Sequence, residues 1–247
     1  LRSDPRTWLV TGAAGFIGRH VVSALRRDGA EVLPIIREST TEGLDAALAA
    51  ADEVYHLAGV SRPKDPAEFE SGNVEWTKQL SERIRSAGRR PLVVFASSTQ
   101  AESTNPYGES KRRAEEELSH LEAAGMPVRI YRLPGVFGRG ARPHYNSVVA
   151  TFCHAAARGH PLPVDDPASP VALVHVEDVV AELLHARTDR APGCKRGEVT
   201  PVFRTTVREL AAHVTSFAES RRTLRLPDFS DPFVFKLYAT YLTYLPE

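Results

Sequence analysis

Over the first 130 positions, short runs of β-branched and aliphatic residues alternate with longer stretches of mixed polarity. The apolar runs predict strands at 7–10, 31–36, 53–57, 92–96 and 128–131. The stretches between them predict helices at 16–28, 44–51, 73–87 and 106–123, three of them closed by Gly29, Gly88 and Gly125. Strands separated by helices imply parallel crossovers, hence an α/β fold with a doubly wound parallel sheet and helices on both faces. Beyond Arg132 the alternation loosens. A Gly/Pro-rich stretch at 134–143 leads to a helix at 146–157, a strand at 171–174 and helices at 176–186 and 207–220. From Asp231 a cap and Pro232 open a last helix, in which Val234, Leu237, Tyr238, Tyr241 and Leu245 recur at helical spacing.

Composition narrows the field. The 247 residues carry 31 Lys+Arg against 31 Asp+Glu, with 42% hydrophobic and 25% charged positions, which excludes disorder, collagen and coiled coil. A neutral chain offers no footprint for nucleic acid. No apolar run approaches the roughly 18 residues of a membrane span. The opening Leu1-Arg2-Ser3-Asp4-Pro5-Arg6 does not read as a signal peptide, and the lack of an initiating Met predicts a trimmed or incomplete chain. Two cysteines, Cys153 and Cys194, make no disulfide framework, so a reducing cytoplasm is expected.

The strongest local signal lies between the first strand and the first helix: Thr11-Gly12-Ala13-Ala14-Gly15-Phe16-Ile17-Gly18. Gly12 permits a tight turn, Gly15 lets backbone approach a pyrophosphate, and Gly18 lets the helix pack against the strand. The helix N-terminus then offers unpaired N–H groups to phosphates. The pattern predicts a Rossmann-type dinucleotide site. After the second strand stands Arg37-Glu38, where an acidic residue would hold the ribose 2′-hydroxyl of NAD and a guanidinium would grip a 2′-phosphate. Arg37 favours NADP(H) over NAD(H); Glu38 on the ribose is the competing reading.

The fourth strand runs into Ser98, and Tyr107 and Lys111 follow at i and i+4 on the next helix. An ammonium beside a phenol favours the phenolate, so Tyr107 can give up a proton. Tyr107 is expected to protonate a forming alkoxide while Ser98 donates a hydrogen bond to the same oxygen. Other chemistry finds less support. Cys153-His154 with His144 and His160 matches no zinc spacing, so no metal is expected and Cys153 reads as a buried small residue. No Gly-x-Ser-x-Gly elbow exists for hydrolysis. His175 reads equally as a packed or capping residue and as a substrate contact.

The glycine motif, His56-Leu57-Ala58-Gly59, Asn73-Val74, Ser98, Tyr107, Lys111 and His175-Val176-Glu177-Asp178 together resemble the extended short-chain dehydrogenase/reductase family, the nucleotide-sugar epimerases, dehydratases and reductases. Within it, Asn105-Pro106-Tyr107-Gly108-Glu109-Ser110-Lys111 and the Leu237-to-Pro246 segment look like the reductase domain of bifunctional capsule-synthesis enzymes. The resemblance implies NADPH-dependent reduction of the 4-keto group of a UDP-2-acetamido-2,6-dideoxyhexose. It implies cofactor contacts from Gly12, Gly15, Phe16, Ile17, Arg37, Leu57, Ala58, Gly59, Lys111 and Leu133. It also implies a homodimer built on the helices at 73–87 and 106–123, and a cupin epimerase domain or partner. For the sugar nucleotide the candidates are Arg62, Ser98, Gly135, Arg142 and Asn146, with Arg139 a weaker one; Arg can grip a diphosphate in bidentate fashion. Gly135 stands where the family usually has Asn.

The domains expected are 1–132, a cofactor core carrying the catalytic residues, and 133–247, a smaller C-terminal substrate lobe sharing its core. Thr99-Gln100 after Ser98 supplies no carboxylate base, which disfavours dehydration. An NAD-dependent 4-epimerase would use the same Ser, Tyr and Lys, and a non-catalytic dinucleotide sensor would need only the glycine turn. Exchangeable NADPH and the intact dyad favour the reductase.

Overall fold

The computed structural model describes residues 6–246. The expectations placed on Leu1 to Pro5 and on Glu247 lie outside the described residues. The chain forms two compact units, one running to Leu133 and including Val180–Val199, the other Pro134–Val179 with the chain from Thr200 onward.

In the first unit, β1 (Thr7–Thr11), α1 (Phe16–Arg27), β2 (Glu31–Ile35), α2 (Thr41–Ala50) and β3 (Glu53–His56) alternate as predicted. A short α3 (Ala67–Phe69) passes through a wide π turn at Glu70–Glu75 into α4 (Trp76–Ser86). This helical segment therefore starts six residues earlier than its apolar pattern predicts. Then come β4 (Leu92–Ser98), α5 (Pro106–Ser119) and β5 (Pro127–Leu133). With β8 (Gly193–Gly197), all six strands of the main sheet pair in parallel, in the order β2-β1-β3-β4-β5-β8. The order reverses between β1 and β3, and that reversal opens a crevice beyond their carboxyl ends.

Central β1 and β3 are buried along their whole length and β4 nearly so, whereas edge strand β2 is only partly buried. Burial on both faces is why the central strands read as near-continuous apolar runs. Leu9, Val54, Val93 and Phe95 of those strands pack with Leu80, Ile84, Ala114 and Leu118 of α4 and α5.

The second unit holds a three-stranded sheet, β6 (Gly135–Phe137), β7 (Pro170–His175) and β9 (Phe203–Thr206), in the order β6-β7-β9. Its helices α6 (Val148–Ala156), α8 (Val207–Thr223) and α9 (Pro232–Leu242) enclose Phe137, Phe152, Leu210, Phe217 and Leu237. The predicted Asp231 cap accepts from the N–H groups of Phe233 and Val234 at 2.7 and 3.4 Å. The unit boundary falls inside α7 (Val176–His185).

The structure corrects the division at 132/133 in one respect. Residues 180–199 return to the first unit, where β8 (Gly193–Gly197) pairs with β5 from Pro127↔Gly193 to Tyr131↔Gly197. The sequence pattern missed this strand because Cys194-Lys195-Arg196 lacks an apolar run, and an edge strand needs none.

Candidate active site

β1 delivers Thr11 to the rim of the crevice, and Gly12 turns the chain with φ +66°. The N–H of Gly15 closes that turn on the Gly12 carbonyl at 2.9 Å. A Cβ at Gly12 would lie 2.7 Å from the Ala58 nitrogen, and one at Gly18 would lie 2.1 Å from the Gly12 oxygen. Both glycines are thus required by close backbone approach. Gly15 caps α1 with no side chain, and the first turn contains no acidic residue. The N–H groups there are left for an external anion, as at other helix N-termini that bind phosphate.

A pocket of about 510 Å³ extends from this turn, within the usual size of a cofactor cleft. Of the cofactor candidates, Gly12, Gly15, Arg37, Ala58 and Gly59 line it; Phe16, Ile17, Leu57, Lys111 and Leu133 are not among its walls. Arg37 faces the pocket together with Ser39 and Thr40, whereas Glu38 does not line it. Its opposite wall holds Trp76, Gln79 and Arg83 of α4, which sequence reasoning missed. Their spacing of i, i+3 and i+7 marks a single helix face and was open to inspection. Arg83 also donates to both oxygens of Asp45 at 2.7 and 2.8 Å, tying α4 to α2. A glycine cradle that side chains would fill, an uncapped helix start and a cleft of this size fit a dinucleotide.

Behind the glycine turn lies a buried chain of hydrogen bonds. Thr77 Oγ1 donates to the Asn73 carbonyl at 2.6 Å, so its only proton is spent there. His56 Nε2, 2.9 Å from Thr77 Oγ1, must therefore be the donor, and His56 Nδ1 accepts from Thr11 Oγ1 at 2.8 Å. The Thr11 oxygen in turn accepts from the N–H groups of Leu57 and Ala58, both at 3.2 Å. Burial, reinforced by nearby Lys111, pushes the His56 pKa down to about 3, consistent with this neutral tautomer. The network clamps Leu57-Ala58 beside Gly12.

β4 extends two residues past its predicted end and terminates on Ser98, which is buried. Ser98 Oγ accepts from the Gln100 N–H at 3.2 Å and caps the turn that follows. Tyr107 and Lys111 lie one turn apart near the start of α5, whose N-cap Asn105 accepts from the Gly108 N–H at 2.8 Å. Gly108 is needed for that entry, because its Cβ would fall 2.0 Å from the Gln100 oxygen. Tyr107 packs against Phe69 with ring centres 5.8 Å apart. Lys111 Nζ donates to the Ala96 carbonyl at 2.8 Å, two residues before Ser98. Burial brings the Lys111 pKa down to about 7, against an opposing pull from Glu115.

Of the sugar candidates, Arg62 is exposed on the loop after β3 in the first unit. Gly135, Arg142 and Asn146 belong to the second unit. Gly135 opens β6, and a Cβ there would come within 3.1 Å of the Ala172 oxygen, so backbone packing accounts for it. Arg142 is exposed, with its guanidinium 5.7 Å from the Tyr145 ring centre, and Asn146 is exposed just before α6. His175 packs edge-on to Phe137 at 5.2 Å and accepts from the Glu177 N–H at 3.4 Å, a packing and capping arrangement. Cys153 is fully buried in α6, and burial pushes its thiol up to about 12.

Residues 8–196 match the model of the NAD dependent epimerase/dehydratase family. The chain is 43% identical over 241 residues to UDP-2-acetamido-2,6-beta-L-arabino-hexul-4-ose reductase of Pseudomonas aeruginosa, covering 97% of this chain and 65% of that protein. It is 30% identical over 243 residues to ceramide reductase of Caulobacter vibrioides, covering 89% of this chain and 73% of that one. Among solved structures it resembles the capsular polysaccharide assembling protein CapF from Staphylococcus aureus, with a TM-score of 0.85 and 35% identity over 97% of this chain. The chain spans 65% of the length of both the Pseudomonas reductase and CapF.

Proposed function

This chain belongs to the NAD dependent epimerase/dehydratase family, and from that premise we propose that it is an NADPH-dependent reductase of a 4-keto-6-deoxy nucleotide sugar. The UDP-2-acetamido-2,6-dideoxyhexos-4-ulose type is the substrate class. The observation that carries this reading is the identity along nearly the whole chain with the Pseudomonas reductase. The local geometry supports it, since Ser98 ends β4 while Tyr107 and Lys111 share the first turns of α5.

Gly12, Gly15, Arg37, Ala58 and Gly59 would hold the dinucleotide, with the N-terminus of α1 on its pyrophosphate and Arg37 on a 2′-phosphate. A bound NADPH supplies the hydride. Tyr107 Oη gives its proton to the carbonyl oxygen of the sugar as the C–H bond forms, which leaves a hydroxyl on the sugar and a phenolate on Tyr107. Ser98 Oγ donates a hydrogen bond to the same oxygen and stabilises the charge that develops there. The cationic form of Lys111 stabilises the phenolate until solvent returns the proton. Arg62 of the first unit is a proposed contact for the sugar nucleotide, and Arg142 and Asn146 are those proposed on the second unit, which would supply the substrate lobe.

The same reading makes the protein a homodimer through α4 and α5, with a cupin epimerase acting on the sugar as a further domain or a separate partner. Free Cys153 and Cys194 support a cytoplasmic location, and no described helix is long and apolar enough to cross a membrane. Light scattering that finds a monomer at micromolar concentration removes the dimer.

The decisive assay follows loss of the reduced-nicotinamide absorbance with the 4-keto UDP-sugar and, separately, with a keto-ceramide. Turnover of the sugar with NADPH is expected. Turnover of the lipid alone overturns the sugar assignment. Tightly held NAD released on denaturation, with interconversion of 4-epimers, makes the protein an epimerase instead.

A further inference from the structure

Three consecutive turns of α5 present Tyr107, Lys111 and Glu115 at i, i+4 and i+8, hence on one face. The proposed chemistry uses the first two. Glu115 is buried, and its contacts lead back to the same site. Its Oε1 accepts from Ser97 Oγ at 2.5 Å, one residue before Ser98. Lys111 Nζ, one turn earlier, donates to the carbonyl of Ala96 at 2.8 Å. Two side chains of one helix face therefore grip two consecutive residues of β4, immediately before the residue that ends it.

Arg132 of β5 completes the arrangement. It pairs in register with Ser97 across the sheet and meets the Glu115 carboxylate with Nε at 2.9 Å and a terminal nitrogen at 2.7 Å. Its other terminal nitrogen donates to Glu102 at 2.9 Å, in the turn that follows Ser98. Ser98 is thus bracketed on both sides by residues tied to one guanidinium–carboxylate pair. Arg196 of β8 approaches the same carboxylate at 3.7 Å.

We propose that Glu115 is a positioning residue of this site, holding Lys111 and Ser98 in place by locking α5 to the last residues of β4. This rests on the reading of Ser98, Tyr107 and Lys111 as the catalytic set. A purely structural role accounts poorly for the residue type. A carboxylate taken out of water is expensive, and apolar residues of similar volume often hold a helix on a sheet equally well. What an apolar residue cannot supply is charge. Lys111 lies over the Phe95 ring and close to neutral His56, and burial lowers its pKa to about 7. Among the charged groups acting on it, Glu115 favours the ammonium. Glu115 itself stays ionised because Arg132 and Ser97 hydrogen-bond it, with Arg196 adding its charge, and these together outweigh its burial.

The test reads Lys111 directly. The chain has five lysines, so the Nζ resonance of Lys111 in the full protein can be assigned by its loss in Lys111→Met. Its titration is followed without substrate or cofactor in wild type and in Glu115→Gln, which keeps an acceptor for Ser97 and removes the charge. The midpoint is expected to fall by about one pH unit. The pH profile of kcat should move with it, with kcat at neutral pH down about tenfold and KM little changed. An unmoved midpoint and profile overturn the proposal. Ser97→Ala is the second variant, for use where Glu115→Gln melts cooperatively only at low temperature or fails to fold. It leaves every charge in place, and kcat is expected to drop several-fold at an unchanged midpoint; full kcat in Ser97→Ala overturns the positional part. If wild type reduces neither keto substrate, the functional reading fails while the Lys111 midpoint still decides the role of Glu115.

Discussion

Lys111 Nζ lies 4.1 Å from the centre of the Phe95 ring. The same ring stacks on His56 with centres 5.1 Å apart and planes at 22°. A cation over an aromatic face gains some attraction, but here it does not offset burial, and the Lys111 pKa falls to about 7. Between about 7 and the free lysine value near 10.4, the unfolded chain therefore holds a proton that the folded one lacks. Stability from this group rises with pH across that window, by up to about 1.4 kcal/mol per pH unit, and its full cost is present below pH 7. Urea unfolding should show Lys111→Met gaining most over wild type at pH 6 and least at pH 10. A difference between the two proteins that ignores pH would refute the burial effect.

Tyr107 carries the proton in the proposed reaction. Tyr107→Phe keeps the ring against Phe69 and removes only the hydroxyl. Its kcat should fall about 10²–10⁴-fold, with NADPH binding, followed by fluorescence titration, little altered. Retained turnover would assign the proton to another donor.

Arg37 faces the pocket beside Ser39 and Thr40. Arg37→Ala should weaken NADPH by about 1.5–3 kcal/mol, the usual worth of a hydrogen bond to a charged group, and leave NADH unchanged. Calorimetric titration of both dinucleotides checks this. Equal losses for the two would show that Arg37 does not read the 2′-phosphate.

Thr11 serves three partners with one hydroxyl: the N–H groups of Leu57 and Ala58 and the ring of His56. Thr11→Val leaves the Ala58 N–H and His56 Nδ1 unmet, while the Leu57 N–H keeps its bond to the Thr11 carbonyl at 3.3 Å. At about 1–3 kcal/mol per stranded group, partly relieved by water, a loss of roughly 2–4 kcal/mol is expected in denaturant melts. A loss below roughly 0.5 kcal/mol, within the range of ordinary surface changes, would mean that the network is not what orders Leu57-Ala58.

Where local geometry depends on neighbours in the chain, the sequence was sufficient. Gly12, Gly15 and Gly18 act within one turn, Tyr107 and Lys111 within one helical step, and Asp231-Pro232 within one cap, so local geometry alone announces them. The central strands were equally plain, because burial on both faces makes their middles apolar, with polar residues such as Thr11, His56 and Ser98 kept to the strand ends.

What the sequence by itself determined is the α/β alternation, the glycine turn and the Tyr–Lys pair. The tertiary structure alone decided the rest. β8 became the sixth strand because β5 had an open edge to satisfy, and backbone hydrogen bonds ask little of side-chain identity. Gln79 and Arg83 reached the pocket beside the glycine turn only when α4 packed against the first unit's sheet, and Glu115 met Ser97 and Arg132 only when β4 and β5 were laid side by side. Such partners lie many residues apart. Their meeting follows from strand order and register, which come from the burial of the whole chain and from no local pattern within it.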